Sequence, residues 1–423
     1  MVRKQFTAPI FDINLTLRKA AVTLLAAIAT VLTISTAQAQ TLIALHAFNG
    51  APDGREPIAG LTLGAAGNLY GTTYYGGTHD MGLVYRLARR GTGFELSPLY
   101  SFQGGQDGAR PSGGVTVGSD GNLYGTTSGG GQHGAGTVYK LSPPAAICRS
   151  FLCPWTETIL YQFTGGADGG YPGDAPVFDS AGNLYGTTGG GGIGDNGVVF
   201  KLTHSGSGWT ESVLDSFAGS PDGVGPVAGV TFDGSGNLYG TTAEGGTANG
   251  GTVYQLTPSG SGYTEKVLYS FQGGSDGELP YAGVVLDPAG NLYGATFYAG
   301  ARQGGAIYEL TPSNGNWVFN VIYSPVLQGL GGAAGTLLRR FDGSLFGTLL
   351  TGGFDGCSGY GCGSVFQLSP SNGSWVYTSL YEFTDGADGG NPEGALILDE
   401  AGSLYGTTTG SLGGDGSAFQ ITP

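Results

Sequence analysis

Polar side chains of unlike chemistry follow a recurring Asp-Gly motif in this chain and lie beside the proline that completes the motif, D-G-x-x-P. Carboxylates in such a set could act as acid, base or nucleophile, and Arg and Tyr could hold a ligand. The residues differ from copy to copy, as they do in a specific ligand site and also in a solvated rim. The candidate ligand-binding residues are Glu56, Arg110, Tyr171, Asp174, Glu278, Tyr281, Asn391 and Glu393.

Glycoside cleavage is the chemistry that pairs of these carboxylates could perform. It needs two carboxyl groups about 5 to 10 Å apart, a distance that the sequence does not fix for Glu56 with Glu278 or with Glu393. The sequence contains no H-E-x-x-H helix or phosphate-binding loop. We therefore expect a binding or scaffold protein without catalytic residues, and we retain a glycan-active hydrolase or lyase as the alternative.

Two further sets of side chains could bind a metal ion. We expect the motif aspartates to accept backbone N–H groups in turns, with structural calcium as the alternative. His79 and His133 hold equivalent positions, but no third ligand recurs with them, so we expect solvated histidines and no cofactor. The motif aspartates are Asp53, Asp107, Asp168, Asp222, Asp276 and Asp388.

A repeat must position all of these residues, because the string GNLYGTT or a close variant occurs seven times. The copies begin at Gly67, Gly121, Gly182, Gly236, Gly290, Gly343 and Gly402. Around each copy the pattern predicts four antiparallel strands, which we call a to d: a short apolar run, the LYGTT run, a GTVYQL-like run and a run ending in YSF. This unit is typical of a β-propeller blade, with a parallel β-helix as the less favoured fold.

The two ends of the repeat region predict a closed ring. The seventh copy supplies only three strands, and TLIALHAF at 41–48 aligns with strand d. The sequence therefore predicts an all-β, seven-bladed propeller whose last blade is closed by the N-terminal strand. Two circles of aromatic residues recur around the ring. We expect the first to pack between the blades and the second to pack against the adjacent turn between strands c and d. The first is Tyr70, Tyr124, Tyr185, Tyr239, Tyr293, Phe346 and Tyr405, and the second is Phe94, Trp155, Trp209, Tyr263, Trp317 and Trp375.

Composition points to an exported, acidic protein. Residues 1–39 combine basic residues, an apolar run and a small-residue site before Gln40, as a signal peptide does, which leaves 40–423 as the propeller. That leader holds four Lys and Arg and one Asp, so the mature chain has 16 − 4 = 12 basic and 31 − 1 = 30 acidic residues. Such a charge disfavours nucleic acid and anionic membranes. We expect a secreted or periplasmic monomer with an extracellular polysaccharide or protein ligand.

Four cysteines form two closely spaced pairs, which in an exported protein favours disulfides over metal thiolates. Cys148 and Cys153 lie in the loop between strands c and d, and Cys357 and Cys362 lie in a loop between strands b and c. In an antiparallel blade these loops leave opposite faces. We therefore expect each pair to close locally.

The combination of GNLYGTT, a glycine-rich segment, G-T-V-Y-x-L and L-Y-S-F-x-G-G-x-D-G-x-x-P resembles the GloVer tandem repeat of secreted bacterial proteins described as choice-of-anchor proteins. The resemblance covers 41–423 and implies export and a repeat architecture. It carries over no catalytic residues. Because the sequence ends at Pro423, directly after a strand, we expect no anchoring tail.

Overall fold

The computed structural model describes residues 40–91, 93–144, 155–206, 208–260, 262–325, 332–333, 335–353, 357–410 and 414–422. Residues 40–422 form one compact unit. No α-helix lies in these described ranges, and the three short 3-10 turns are Ala65–Gly67, Ile193–Asp195 and Cys357–Gly359. The protein is therefore an all-β structure.

Seven antiparallel sheets form the ring, each ordered a-b-c-d from the channel outward. Blade 1 contains Thr62–Leu63, Leu69–Thr73, Leu83–Arg90 and Gly93–Ser101, and blade 2 contains Thr116–Val117, Leu123–Thr127, Thr137–Ser142 and Thr156–Gln162. Blade 3 contains Val177–Phe178, Leu184–Gly190, Val198–Ser205 and Gly208–Ser216, with Gly170–Pro172 as an added strand paired to its strand b.

The remaining blades repeat this arrangement. Blade 4 contains Thr231–Phe232, Leu238–Thr242, Thr252–Ser259 and Gly262–Ser270, and blade 5 contains Val285–Leu286, Leu292–Ala295, Ile307–Ser313 and Asn316–Tyr323. Blade 6 contains Leu338–Arg339, Leu345–Leu349, Ser364–Ser371 and Ser374–Glu382. Blade 7 contains Ile397–Leu398, Leu404–Thr408, Ser417–Thr422 and, as strand d, Thr41–Ala47.

The N-terminal strand closes the ring, as predicted. It pairs with strand c of blade 7 from Thr41 opposite Thr422 to Ala47 opposite Ser417. The amide of Phe48 then donates to the carbonyl of Gly416 at 2.9 Å, which continues the ladder by one bond. This pairing covers an edge that would otherwise present unpaired backbone groups.

The repeated tyrosines pack between blades, which explains why the string recurs. Tyr239 of blade 4 lies 5% exposed, in one apolar cluster with Phe271 of its own blade and Leu292 and Tyr308 of blade 5. The aromatic residue at the start of strand d reaches the same layer, because Trp317 of blade 5 contacts Tyr239 at 6.1 Å between ring centroids. The tyrosines therefore pack between blades, as expected. The strand d aromatic residue contacts them there, whereas the sequence predicted packing against the adjacent turn between strands c and d.

The glycine of LYGTT is required by the same packing. A Cβ on Gly240 would collide with the ring of Tyr254 in the neighbouring strand c. Any larger residue would force these strands apart.

The structure also shows the state of one cysteine pair and bears on whether a helix could span a membrane. Cys357 and Cys362 are joined by a disulfide, as predicted, whereas Cys148 and Cys153 lie outside the described residues. In the described part of the chain no helix is long and apolar enough to cross a membrane.

Candidate functional site

The residue before the motif proline has an unusual backbone in five blades. Glu56, Arg110, Tyr171, Leu279 and Asn391 all have φ between 55° and 59°, in the left-handed region that side chains other than Gly, Asn and Asp seldom adopt. Each such residue costs about 1 kcal/mol or more. Blade 4 has Gly225 at this position, with φ of 65°, so the backbone accepts glycine while the other blades keep larger side chains.

Hydrogen bonds to neighbouring loops hold these residues irrespective of their side chains. The amide of Tyr171 donates to the carbonyl of Ala135 at 2.7 Å, and that of Arg110 donates to Met81 at 2.8 Å. The carbonyl of Arg110 in turn accepts the amide of Ser128, the first residue after strand b, at 3.0 Å. The backbone is thus a fixed frame that places variable side chains at the mouth of the channel.

The mouth is a bowl of about 470 Å³, a volume within the usual range of small-molecule sites. Residues of all seven blades line it. Ile58, Ser112, Gly173, Val227, Tyr281 and Glu393 follow the motif proline, Tyr74, Ser128, Phe297 and Leu350 follow strand b, and Tyr171 precedes the proline.

Four aromatic side chains line this bowl. Tyr171 and Tyr281 are 54% and 40% exposed, and Tyr281 contacts the ring of Phe297 edge to face at 5.5 Å. Tyr74 meets Tyr75 in the same geometry at 4.8 Å. Exposed aromatic rings beside a cavity offer flat apolar surfaces to a ligand.

An acidic corner adjoins the aromatic part. Glu393 lines both the bowl and a second recess of about 480 Å³, which Glu56 also lines. Burial, with the charge of Glu56 nearby, raises the pKa of Glu393 to about 7. At neutral pH this carboxyl is therefore a mixture of hydrogen-bond donor and charged acceptor.

A salt-bridged rim borders the recess. Arg55 donates to both carboxylate oxygens of Asp80, at 3.0 and 3.2 Å, and its guanidinium lies over the ring of Tyr75 at 4.5 Å. These bonds lower the pKa of Asp80 and raise that of Arg55. The guanidinium of Arg110 also lies over the ring of Tyr75, with its Cζ 5.5 Å from the ring centroid.

Five of the eight sequence candidates lie outside the bowl lining: Glu56 lines the second recess, and the other four lie elsewhere. The Asp174 carboxylate accepts the amides of Ala175 at 2.7 Å and of Gly229 in blade 4 at 2.9 Å, while burial raises its pKa. It thus links two blades. Arg110 is held at Tyr75, Glu278 pairs through its backbone with Tyr298, and Asn391 donates to the carbonyl of Leu350 at 3.0 Å.

Five of the six motif aspartates accept a backbone N–H group in their turns, as expected, whereas the carboxylate of Asp53 contacts the ring of His46 at 2.7 Å. Asp276 accepts the amide of Gln272 at 2.8 Å and the hydroxyl of Tyr269 at 2.9 Å. His79 is exposed and contacts Thr78. No group of three or more His, Cys, Asp or Glu side chains suited to a metal ion occurs in the described ranges.

Sequence reasoning missed one ring of the bowl. Tyr74, Phe297 and Leu350 directly follow the seven-residue repeat string. This position varies widely among the copies, while the string before it is nearly constant. That contrast between a constant string and a variable next residue was the available signal. The residues at this position are Tyr74, Ser128, Gly189, Ala243, Phe297, Leu350 and Thr409.

The fold and the bowl define a class: a seven-bladed β-propeller built from tandem repeats, with a variable channel mouth on a constant frame. The Gloeobacter/Verrucomicrobia repeat model matches residues 27–152, 151–353 and 261–423. The chain therefore belongs to this repeat family, in agreement with the resemblance seen in the sequence. No curated protein matches the chain.

Solved structures with similar folds are distant in sequence. The extracellular domain of a protein described as a hybrid two-component system from B. thetaiotaomicron matches with a TM-score of 0.53 at 11% identity, over 91% of this chain and 42% of that one. A GH74 enzyme from Niastella koreensis matches with a TM-score of 0.53 at 15% identity, over 88% and 53%.

A gluconolactonase from Xanthomonas campestris matches with a TM-score of 0.44 at 14% identity, over 90% of this chain and 99% of that one. At such identities these similarities show the fold alone.

Proposed function

We propose that this protein is an exported, non-enzymatic binding propeller that holds a neutral carbohydrate chain at the mouth of its channel. The observation that carries the proposal is the bowl of about 470 Å³ with Tyr74, Tyr171, Tyr281 and Phe297 in its lining. Sugar rings present apolar C–H faces that pack on aromatic rings and hydroxyls that need hydrogen-bond partners. Ser112, Ser128 and Glu393 supply such partners in the same lining.

The charge of the site favours a neutral ligand over an anionic one. The described lining residues include Glu393 and no Lys or Arg, and the whole sequence has a net charge of −15. An anionic polymer would meet a repulsive potential at the mouth, as would nucleic acid or an anionic membrane. Export is supported by the leader at 1–39 and by the Cys357–Cys362 disulfide.

The test uses residues 40–423, purified as a folded protein, and an array of polysaccharides with and without calcium. Tyr171→Ala and Tyr281→Ala should each weaken binding of the best neutral polymer by on the order of tenfold, because each removes an exposed stacking surface. Phe341→Ala is the matched control, since Phe341 is 89% exposed in the turn between strands a and b of blade 6. Absence of binding to every polymer, or equal binding by all variants, would reject the proposal.

A second candidate function, glycan hydrolysis or lysis, is favoured by one observation. Glu393 has a raised pKa of about 7 and shares a recess with Glu56, which is the kind of carboxyl pair that glycosidases divide into acid and nucleophile or base. Prolonged incubation with the bound polymer and measurement of new reducing or unsaturated ends decide the question. If new chain ends form with the wild-type protein and do not form with Glu393→Gln, the protein is an enzyme.

A further inference from the structure

Blade 4 presents no aromatic or charged side chain at its three positions around the bowl. Gly225 occupies the left-handed position that Tyr171 and Leu279 hold in blades 3 and 5. Ala243 follows strand b where blade 5 has Phe297, and Val227 follows the proline where blade 5 has Tyr281. Blade 4 therefore contributes a low rim between two blades that carry exposed aromatic rings.

The space at Gly225 is open. A Cβ at this residue would have its nearest neighbours at 3.9 Å, the Cβ of Ala243, and at 4.0 Å, the carbonyl oxygen of Gly189. Its backbone makes the same hydrogen bonds as the other blades, because its amide donates to Asn196 and its carbonyl accepts from Ala243, each at 2.9 Å. The frame is thus intact and only the side chain is missing.

An acidic residue of blade 4 adjoins this rim. Glu244 is exposed there and lies close enough to Tyr281 for its charge to raise the pKa of that phenol, after burial. Its backbone pairs with Val224, the residue before Gly225. A ligand leaving the bowl over Gly225 would meet the rings of Tyr171 and Tyr281 on either side and an acceptor for hydroxyls beyond them.

We propose that Gly225 determines the length of the ligand: a linear neutral polysaccharide fills the bowl with one segment and leaves it over blade 4. This inference rests on the proposed carbohydrate function and names the class within it, a polymer longer than the bowl and not a mono- or disaccharide. A bulky side chain at Gly225 would obstruct the chain outside the bowl and leave the bowl itself unchanged.

The Gly225 variants can fold because other blades have the same residue types in this backbone conformation. Tyr171 and Asn391 occupy the same backbone conformation, at φ of 59° and 55°, so Gly225→Tyr and Gly225→Asn both introduce residues that this frame accepts. Thermal unfolding followed by circular dichroism checks each variant before binding is measured. The Asn variant separates the backbone change from the bulk of the ring.

The experiment measures affinity per binding site by calorimetry for the matched polymer and trisaccharide of three probes: mixed-linkage β-glucan, β-1,3-glucan and galactomannan. Wild-type protein should bind one polymer about tenfold more tightly than its trisaccharide. Gly225→Tyr should lower the affinity for the polymer to that for the trisaccharide, and should change the affinity for the trisaccharide less than about twofold. The polymer affinity of Gly225→Asn should lie between those of the wild type and Gly225→Tyr.

The possible failures are distinguishable. If wild-type protein binds a polymer and Gly225→Tyr leaves its affinity unchanged, or weakens polymer and trisaccharide equally, Gly225 does not set ligand length and the bowl function stands. Complete loss of polymer binding in Gly225→Asn would assign the effect to the backbone and overturn the inference. If wild-type protein binds neither polymers nor trisaccharides, the carbohydrate function falls and the inference with it.

Discussion

Two neighbouring interfaces, between blades 3 and 4 and between blades 4 and 5, have equivalent apolar cores. They differ in the side chains that cover those cores. Phe217 packs on Tyr254 at 5.1 Å in the first, and Phe271 packs on Tyr308 at 5.2 Å in the second. All four side chains are fully buried. The repeat therefore builds the same apolar contact twice.

Carboxylates cover the core between blades 3 and 4. Asp215, Asp222 and Glu265 each have one buried oxygen without a hydrogen-bond partner. Burial, with the charge of Asp222, raises the pKa of Asp215 to about 6. Burial and the charges of both neighbours raise the pKa of Glu265 to about 7. This arrangement opposes ionisation at neutral pH.

Aromatic rings cover the core between blades 4 and 5. Tyr269 replaces the carboxylate of Asp215 and stacks on Phe319 at 3.9 Å, with 8° between the ring planes. Its hydroxyl donates to Asp276 at 2.9 Å, so the motif aspartate has a partner that Asp222 lacks. The comparison teaches that the buried Phe and Tyr layer defines the interface, while the covering residues set how its stability responds to pH.

The largest effect should come from the shared core. Phe217→Ala and Phe271→Ala each remove a fully buried ring, so each should lower the free energy of unfolding by about 3 to 5 kcal/mol. Urea denaturation followed by tyrosine and tryptophan fluorescence measures it. Similar losses at both interfaces would support a common core, and a loss at only one would contradict it.

Exchanging the covering residues should have the next largest effect. Asp215→Tyr with Glu265→Phe introduces the stacked pair and removes two adjacent carboxylates, which should stabilise the protein by about 1 to 3 kcal/mol at pH 8. The reciprocal pair, Tyr269→Asp with Phe319→Glu, should destabilise it. A destabilised first variant would show that the neighbouring strands do not accept the rings.

The pH dependence of stability should separate the two interfaces. Because the folded pKa values of Asp215 and Glu265, about 6 and about 7, exceed their ordinary values, the folded state holds more protons between about pH 4 and pH 7. The free energy of unfolding should therefore fall as pH rises through that range. Asp215→Asn with Glu265→Gln should flatten this fall, measured by melting temperature at constant ionic strength.

A control at a third interface, between blades 5 and 6, sharpens this test. Glu309, on strand c of blade 5, accepts the hydroxyl of Tyr293 at 2.7 Å. Glu309→Gln therefore changes a carboxylate outside the cluster of Asp215, Asp222 and Glu265. It should leave the slope between pH 4 and pH 7 as steep as in the wild type. An equal flattening by both variants would mean that the cluster is not its source.

The smallest effect should come from one hydroxyl. Tyr269→Phe keeps the stacked ring but removes the hydrogen bond to Asp276, so it should cost about 0.5 to 1.5 kcal/mol. Denaturant titration at pH 7 resolves this difference. Tyr381→Phe at the blade 6 to blade 7 interface, whose hydroxyl donates to Asp388 at 3.1 Å, should give the same loss, and unequal losses would argue against equivalent bonds.

The sequence by itself determined the blade and the ring. Seven copies of GNLYGTT fix the number of blades, because each short sheet has an apolar face that must be buried by the next. The match of 41–48 to strand d fixed the closure, since a strand of the right pattern completes a blade of three. Local turn chemistry also assigned the motif aspartates, whose partners lie within a few residues.

Only the tertiary structure decided which variable residues meet. Tyr74, Tyr281 and Glu393 come from three blades and converge at the mouth because the ring brings their loops together. Asp174, like Glu393, is an acidic residue just after the motif proline, yet its carboxylate accepts the amide of Gly229 in the next blade. The direction of a side chain depends on backbone angles and on neighbours far away in the chain, and a repeat pattern carries neither.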